Sequence, residues 1–156
     1  MNDKAHMQRA IEVARDAMRH GELPFGAVLV GPDDRVILEE RDRVAEFRDP
    51  TRHAETHLVK QACMHFGPDL SAYTLYTTCE PCAMCFTSAW LAGIKRIVTG
   101  TNMADVHARS GGLHQEMPVT MQAMNQYGGS RIELTPDLLA ETCLALFDHA
   151  DFTPLH

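Results

Sequence analysis

Apolar residues recur at helical spacing through Asp3–Arg19, where Met7, Ala10, Ile11, Ala14 and Met18 share a face between charged neighbours. A helix is expected there, stopped by Gly21, with its methionines serving as core packing rather than as a ligand set. The pattern then changes period. Leu23-Pro24-Phe25-Gly26 is a turn into the apolar run 27–30. Gly31-Pro32-Asp33-Asp34 is turn chemistry before a second strand over 35–40, which together predict a hairpin. Residues 41–48 are polar and read as a loop. Asp49 as N-cap and Pro50 as the first helical residue predict a helix to about residue 65, with Ala54, Leu58, Ala62 and His65 inward, ended by Gly67-Pro68. Residues 73–78 form a β-rich strand. Pro81 opens a helix from Cys82 through Trp90 to Leu91, closed by Gly93, and 96–99 is a fourth strand. Residues 103–127 are less regular, with a helix about 119–125. A short strand over 131–134 follows, and Pro136 starts a last helix carrying Leu139, Cys143, Leu146 and Phe147. Helix, hairpin, then alternating helices and strands predict an α/β layered domain with a mixed sheet.

Composition narrows the class. A chain of 156 residues with 45% hydrophobic content fits a single domain, 1–156, around one core, and no linker or repeat divides it. Its 14 basic and 21 acidic residues give a net charge of −7, a poor footprint for nucleic acid, which is bound by cations neutralising phosphates. The basic residues are interleaved with acids around Arg35, Glu39, Glu40, Arg41, Asp42 and Arg43, as on a solvated mixed-charge face. No apolar run approaches the roughly 20 residues a membrane span needs, and the polar start is unlike a signal core. Five cysteines is an odd count, with three crowded at Cys79, Cys82 and Cys85, which disfavours a disulfide scaffold. A cytoplasmic protein with no membrane partner is expected.

The candidate chemistry lies in His53-Ala54-Glu55 and Pro81-Cys82-Ala83-Met84-Cys85. H-x-E followed by P-C-x-x-C is a signature of zinc-dependent base deaminases. Catalytic zinc usually keeps three protein ligands and one open position. His53, Cys82 and Cys85 supply three, each near the start of a helix, where free N–H groups and the dipole favour thiolates. Cys79 and Cys82 also form a C-x-x-C pair, but Pro81 places Cys82 and Cys85 inside the helix and leaves Cys79 at the strand end. His57 lies one turn after His53, yet H-A-E-T-H lacks the H-E-x-x-H register of zinc proteases. Two thiolates largely neutralise zinc, so a nearby base is required, and Glu55 fits that role. It would take a proton from water and return protons to a ring nitrogen and the departing amine. A rival reading, a non-catalytic protein with structural zinc, needs a fourth ligand, with Cys79 or His57 the nearby candidates.

The chain resembles the cytidine deaminase superfamily through Pro24-Phe25-Gly26-Ala27-Val28, Asp49-Pro50-Thr51 with His53-Ala54-Glu55, and Leu75-Tyr76-Thr77-Thr78-Cys79-Glu80-Pro81-Cys82-Ala83-Met84-Cys85. Within it the likeness is to bacterial guanine and nucleoside deaminases first and tRNA adenosine deaminases next, over about two thirds of the chain. The resemblance implies a three-layer α/β/α fold around a five-stranded mixed sheet, Zn2+ on His53, Cys82 and Cys85, Glu55 as proton shuttle, and a homodimer. It implies hydrolytic release of ammonia from a small heterocyclic amine, guanine or a related aminopurine. Alternatives are cytosine, nucleoside, aminotriazine or pterin substrates, with tRNA adenosine further off. Phe25, Asp42, Ala54 and His114 are the candidate substrate-binding residues. Relatives usually carry a base-binding asparagine where this chain has Asp42, and an ionised carboxylate cannot donate, so a substrate offering donors at that edge, or a shifted binding mode, is expected. Bacterial guanine deaminases also place an aspartate after the fourth strand; here the nearest substitutes are His114 and Glu116. Trp90 is expected in the core, and the tail over 148–156 offers an aromatic, Phe152, to cap a site but no basic extension suited to tRNA.

Overall fold

The computed structural model describes residues 1–152; the tail residues 153–156 lie outside the described part. In chain order the elements are α1 (Asp3–Arg19), β1 (Gly26–Val30), β2 (Val36–Arg41), α2 (Val44–Phe47), α3 (Ala54–Phe66), β3 (Thr74–Cys79) and α4 (Ala83–Leu91). After them come β4 (Arg96–Thr101), α5 (Met103–Arg109), α6 (Met121–Tyr127), β5 (Glu133–Thr135) and α7 (Ala140–Ala145), which runs into a 3-10 turn, Leu146–His149.

The strands form a single sheet in the order β2-β1-β3-β4-β5. β1 pairs antiparallel with β2 and β3, whereas β3, β4 and β5 run parallel, so the sheet is mixed as expected. Alternation along the central strands builds two cores. Val28, Val30, Tyr76 and Val98 face α1 and α7, and Ala27, Leu29, Leu75 and Ile97 face α3, α4 and Met121 of α6. The result is the three-layer α/β/α arrangement. Gly26 sits where α1 crosses β1; an added Cβ there would meet the backbone of Ala10 and Ala14.

One ion pair ties α1 across the sheet. Arg96 donates to both Asp3 oxygens at 2.8 and 2.7 Å, and Tyr76 Oη donates to Oδ1 at 2.6 Å. These bonds, Arg96 first and against the cost of burial, hold the Asp3 carboxyl at about 2, below its ordinary 3.8. A depressed carboxylate pKa contributes stability that is present above the unfolded value and lost as pH falls through the folded one. Asp3→Asn is therefore expected to cost about 1–2 kcal/mol at neutral pH, allowing for solvent screening of a partly exposed pair. Urea unfolding as a function of pH should show the gap between the two proteins closing between about pH 4 and pH 2.

Three expected boundaries differ, each through a contact that local sequence does not show. Asp49 and Pro50 do not start α3. Asp49 Oδ1 accepts from the Thr51 N–H at 2.9 Å and hydroxyl at 2.6 Å, a local turn that competes with helix. The helix begins at Ala54, with His53 extended at its N-cap. The segment 41–48 is not all loop, because the buried Glu22 carboxylate accepts from the N–H groups of Ala45 (2.7 Å) and Glu46 (2.8 Å) and caps α2. Pro136 does not start α7 either. Asp137 and Leu139 are left-handed, and the helix begins at Ala140.

Candidate active site

Antiparallel pairing brings the start of β1 and the end of β2 beside the end of β3, with Gly26 opposite Arg41 and Ala27 opposite Thr77. Phe25, Asp42 and Cys79 therefore emerge at one end of the sheet. The parallel partner adds Thr101 opposite Cys79, with Asn102 and Met103 just beyond. Ligands of open α/β sheets bind outside such carboxyl ends. The chain turns at Glu80-Pro81 into α4, whose N-cap is Cys82, extended like His53 at the N-cap of α3. Two helix starts thus converge on the sheet end.

His53, Cys82 and Cys85 form the one group among the described residues whose donor atoms lie close enough together to share a metal ion, within 4.8 Å of one another. His53 Nδ1 is 3.5 Å from Cys82 Sγ and 3.6 Å from Cys85 Sγ. Zinc bonds of about 2.3 Å to sulfur and 2.0–2.1 Å to nitrogen place donors about 3.5 Å apart across a tetrahedral angle. The donor set therefore fits zinc in both chemistry and spacing. The three groups are also electrostatically coupled. The Cys82 thiol is lowered to about 5, first by its hydrogen bond with Cys85 and then, against burial, by His53. Cys85 is pushed up by that same bond and by burial. Burial would lower His53, but the Cys82 hydrogen bond and charge raise it to about 9. Thr56 Oγ1 also donates to Cys85 Sγ at 3.1 Å, which orients the thiolate. Cys79 is buried outside the trio, and burial raises its thiol. His57 turns elsewhere, with Nε2 3.4 Å from Glu40 and Nδ1 3.2 Å from Arg52.

Glu55 lies one residue into α3, buried beside the trio. Thr77 Oγ1 donates to its Oε1 at 3.0 Å and also lies 3.1 Å from the Cys79 carbonyl. Burial, opposed by His53, raises Glu55 to about 7, near the value at which a group exchanges protons most effectively at neutral pH. A small cavity of about 20 Å³ is lined by Phe25, Asp42, Glu55, His114 and Glu116 together with His53 and Cys82. Asp42 is 1% exposed, and burial pushes its carboxyl up to about 7.

The segment between α5 and α6 brings His114 and Glu116 to this cavity. Glu80 holds it in place, accepting from Met103 N at 3.1 Å and Met121 N at 2.9 Å, so one buried carboxylate serves two helix starts. Gly111 and Gly112 are left-handed (φ 65° and 83°) and turn the chain back. His114 Nε2 is 3.2 Å from Glu116 Oε1. Its ring lies 5.3 Å from that of Phe25 and 6.2 Å from that of Phe152, so the tail aromatic is buried against the cavity wall. The Ala54 side chain does not line it, and Trp90 is in the core as expected. Ala54 is fully buried in the core under α3, and Trp90 packs on that core with Nε1 donating to the Gly128 carbonyl. Sequence reasoning missed Glu80, Thr77 and Thr56. The signal available was their place inside the motifs: Thr77 and Glu80 flank Cys79, and Thr56 follows Glu55.

A model of the cytidine and deoxycytidylate deaminase zinc-binding region matches residues 1–101. The chain is 36% identical over 107 residues to guanine deaminase from Bacillus subtilis, a span covering 67% of this chain and 68% of that protein. It is 40% identical over 102 residues to tRNA-specific adenosine deaminase from Agrobacterium fabrum, covering 64% and 66%. Among curated relatives the shared segment spans as little as 19% of their length. In three dimensions the chain is similar to guanine deaminase from Nitrosomonas europaea, with a TM-score of 0.80 at 25% identity over 92% of this chain and 81% of that one. The family match ends before His114 and Glu116, the residues that close the cavity.

Proposed function

The chain belongs to the cytidine and deoxycytidylate deaminase family, and from that premise we propose that it hydrolytically deaminates a small aminated N-heterocycle, guanine or a related aminopurine. The observation that carries this reading is a buried carboxylate, Glu55, beside a His-Cys-Cys donor trio and opening on a cavity at the sheet end. The reaction exchanges the exocyclic amine for oxygen from water and releases ammonia.

His53, Cys82 and Cys85 are the residues that would hold zinc. Bound there, zinc acts as a Lewis acid that acidifies water. The chain's own part is proton movement and placement. The Glu55 carboxylate takes a proton from the hydrolytic water and delivers it to the ring nitrogen beside the reacting carbon, then carries the proton of the hydroxyl added to that carbon to the leaving amine as the C–N bond breaks. Thr77 fixes the carboxylate through Oε1. Glu116, also on the cavity, is placed to assist with protons, and Phe25 offers a face for a flat ring. A volume of about 20 Å³ holds about one water, whereas the adjoining groove of about 380 Å³, which also reaches His53 and Cys82 beside Val44, Pro50, His114 and Glu116, has room for a ring.

Residues 1–156 are taken as one deaminase domain acting as a homodimer in the cytoplasm. No helix among the described residues is long and apolar enough to cross a membrane. A tRNA substrate is the second reading, favoured by the 40% identity to a tRNA-specific adenosine deaminase; the net charge of −7 weighs against it. Cytosine, nucleosides, aminotriazines and pterins complete the panel. Ammonia release from purified zinc-loaded protein should be highest with aminopurines. Turnover confined to a tRNA anticodon stem would transfer the assignment to the second reading, and no turnover on any member would reject both.

A further inference from the structure

The wall that carries His114 and Glu116 is held at both ends by one side chain. Glu80 is buried, its N–H donates to the Thr101 carbonyl at 2.8 Å, and Pro81 leads from it into Cys82, so the root of the side chain is fixed. Its Oε1 accepts from the Met103 N–H at 3.1 Å and its Oε2 from the Met121 N–H at 2.9 Å. These are the first residues of α5 and α6, and a helix leaves such N–H groups without a partner of its own. The N-caps do not take them: Asn102 Oδ1 and Thr120 Oγ1 accept from Asp105 and Ala123 instead. Between the two anchors the chain supports itself. Ser110 Oγ accepts from the His114 N–H at 3.0 Å, His107 Nδ1 lies 2.9 Å from the His114 carbonyl, and His114 Nε2 stands 3.2 Å from Glu116 Oε1. Where Glu116 stands is therefore set by where the two ends are held.

We propose that Glu80 is a positioning residue for the reaction: by holding the starts of α5 and α6 together it places the Glu116 carboxylate on the cavity, and it acts on turnover through Glu116. The inference rests on the deaminase reading and adds to it a residue whose two oxygens are both engaged by backbone N–H groups. The two bonds need a carboxylate. An amide of the same shape has one acceptor and turns its NH2 toward the other N–H, leaving a buried donor opposed. A misplacement on the order of 1 Å is enough to slow a reaction by about 100-fold.

The test is a double-mutant cycle on the full zinc-loaded chain, read as ammonia release from the ring turned over fastest in the panel above. Glu80→Gln should lower kcat about 10–100-fold, with KM within about threefold and zinc content unchanged, and Glu116→Gln should lower kcat by a similar factor. Residues that act as one unit are not additive, so the double variant should fall within about threefold of Glu116→Gln alone. Amide exchange adds a readout that needs no turnover: the Met121 amide and those of 113–119 should exchange about tenfold faster in Glu80→Gln, with β3 unchanged. Losses that multiply in the double variant overturn the proposal, because Glu80 would then act on the fold and not through Glu116. Full activity in Glu116→Gln overturns it as well. So does a Met103 or Met121 amide that exchanges as fast as exposed backbone in the unaltered protein, an observation that needs no folded variant. Failure of the deaminase reading looks different: no ring releases ammonia with Glu80 intact, while the faster exchange in Glu80→Gln remains.

Discussion

Glu55→Gln is expected to lower kcat for ammonia release toward the upper end of the roughly 10²–10⁴-fold range that general acid–base groups contribute. The upper end applies because one carboxylate handles several proton transfers, from water, to the ring and to the leaving amine. Glutamine preserves what is not chemistry. Its amide oxygen can still accept from Thr77 Oγ1, as Glu55 Oε1 does at 3.0 Å. The donor trio of His53, Cys82 and Cys85 is untouched. Burial already raises Glu55 to about 7, so a neutral amide in its place removes a charge the interior disfavours. Thermal stability should be equal or slightly higher, and metal content, measured by elemental analysis, should stay at that of the unaltered protein. Activity within tenfold of that protein, at equal metal content, would remove Glu55 from the proton-carrying role.

Much of this arrangement was legible from short-range signals. Short apolar and β-rich runs bounded by turn residues gave the central strands, and Pro81 fixed which cysteines begin a helix, because a proline suits a helix start and cannot continue one. What escaped were the long-range caps. Glu22 reaches the start of α2 across more than 20 residues, and Glu80 reaches both α5 and α6. No local propensity encodes a carboxylate arriving from another part of the chain. For the same reason 103–127 read as irregular, although Glu80 orders it and delivers His114 and Glu116 to the cavity. Asp49 shows the converse: its side chain closed a turn with Thr51 and left the N-cap to His53. That displacement matters, since a ligand at the N-cap stands clear of the helix ladder and points toward the second helix start.

Metal removal is the other perturbation with a large expected effect, because the trio joins two helix starts that otherwise meet through side-chain packing and the Thr56–Cys85 hydrogen bond. A ligand bound only by the folded state stabilises it by RT ln(1 + [L]/Kd), about 4 kcal/mol at a thousandfold excess over Kd. For a domain of this size, a chelator should then lower Tm by roughly 8–16 °C and abolish turnover, with zinc restoring both. The assignment of the ligands is open to the same measurement. Cys85→Ala removes a fully buried donor that Thr56 orients, and zinc content and activity should both be lost. Cys79→Ala should keep its zinc, because that thiol lies outside the trio and burial holds it protonated. Zinc retained by Cys85→Ala but lost from Cys79→Ala would reverse the ligand assignment and move the second thiolate from α4 to the end of β3. The helix-start geometry argues against that outcome. Cys82 and Cys85 flank one helical turn, and each stands within 3.6 Å of His53 Nδ1.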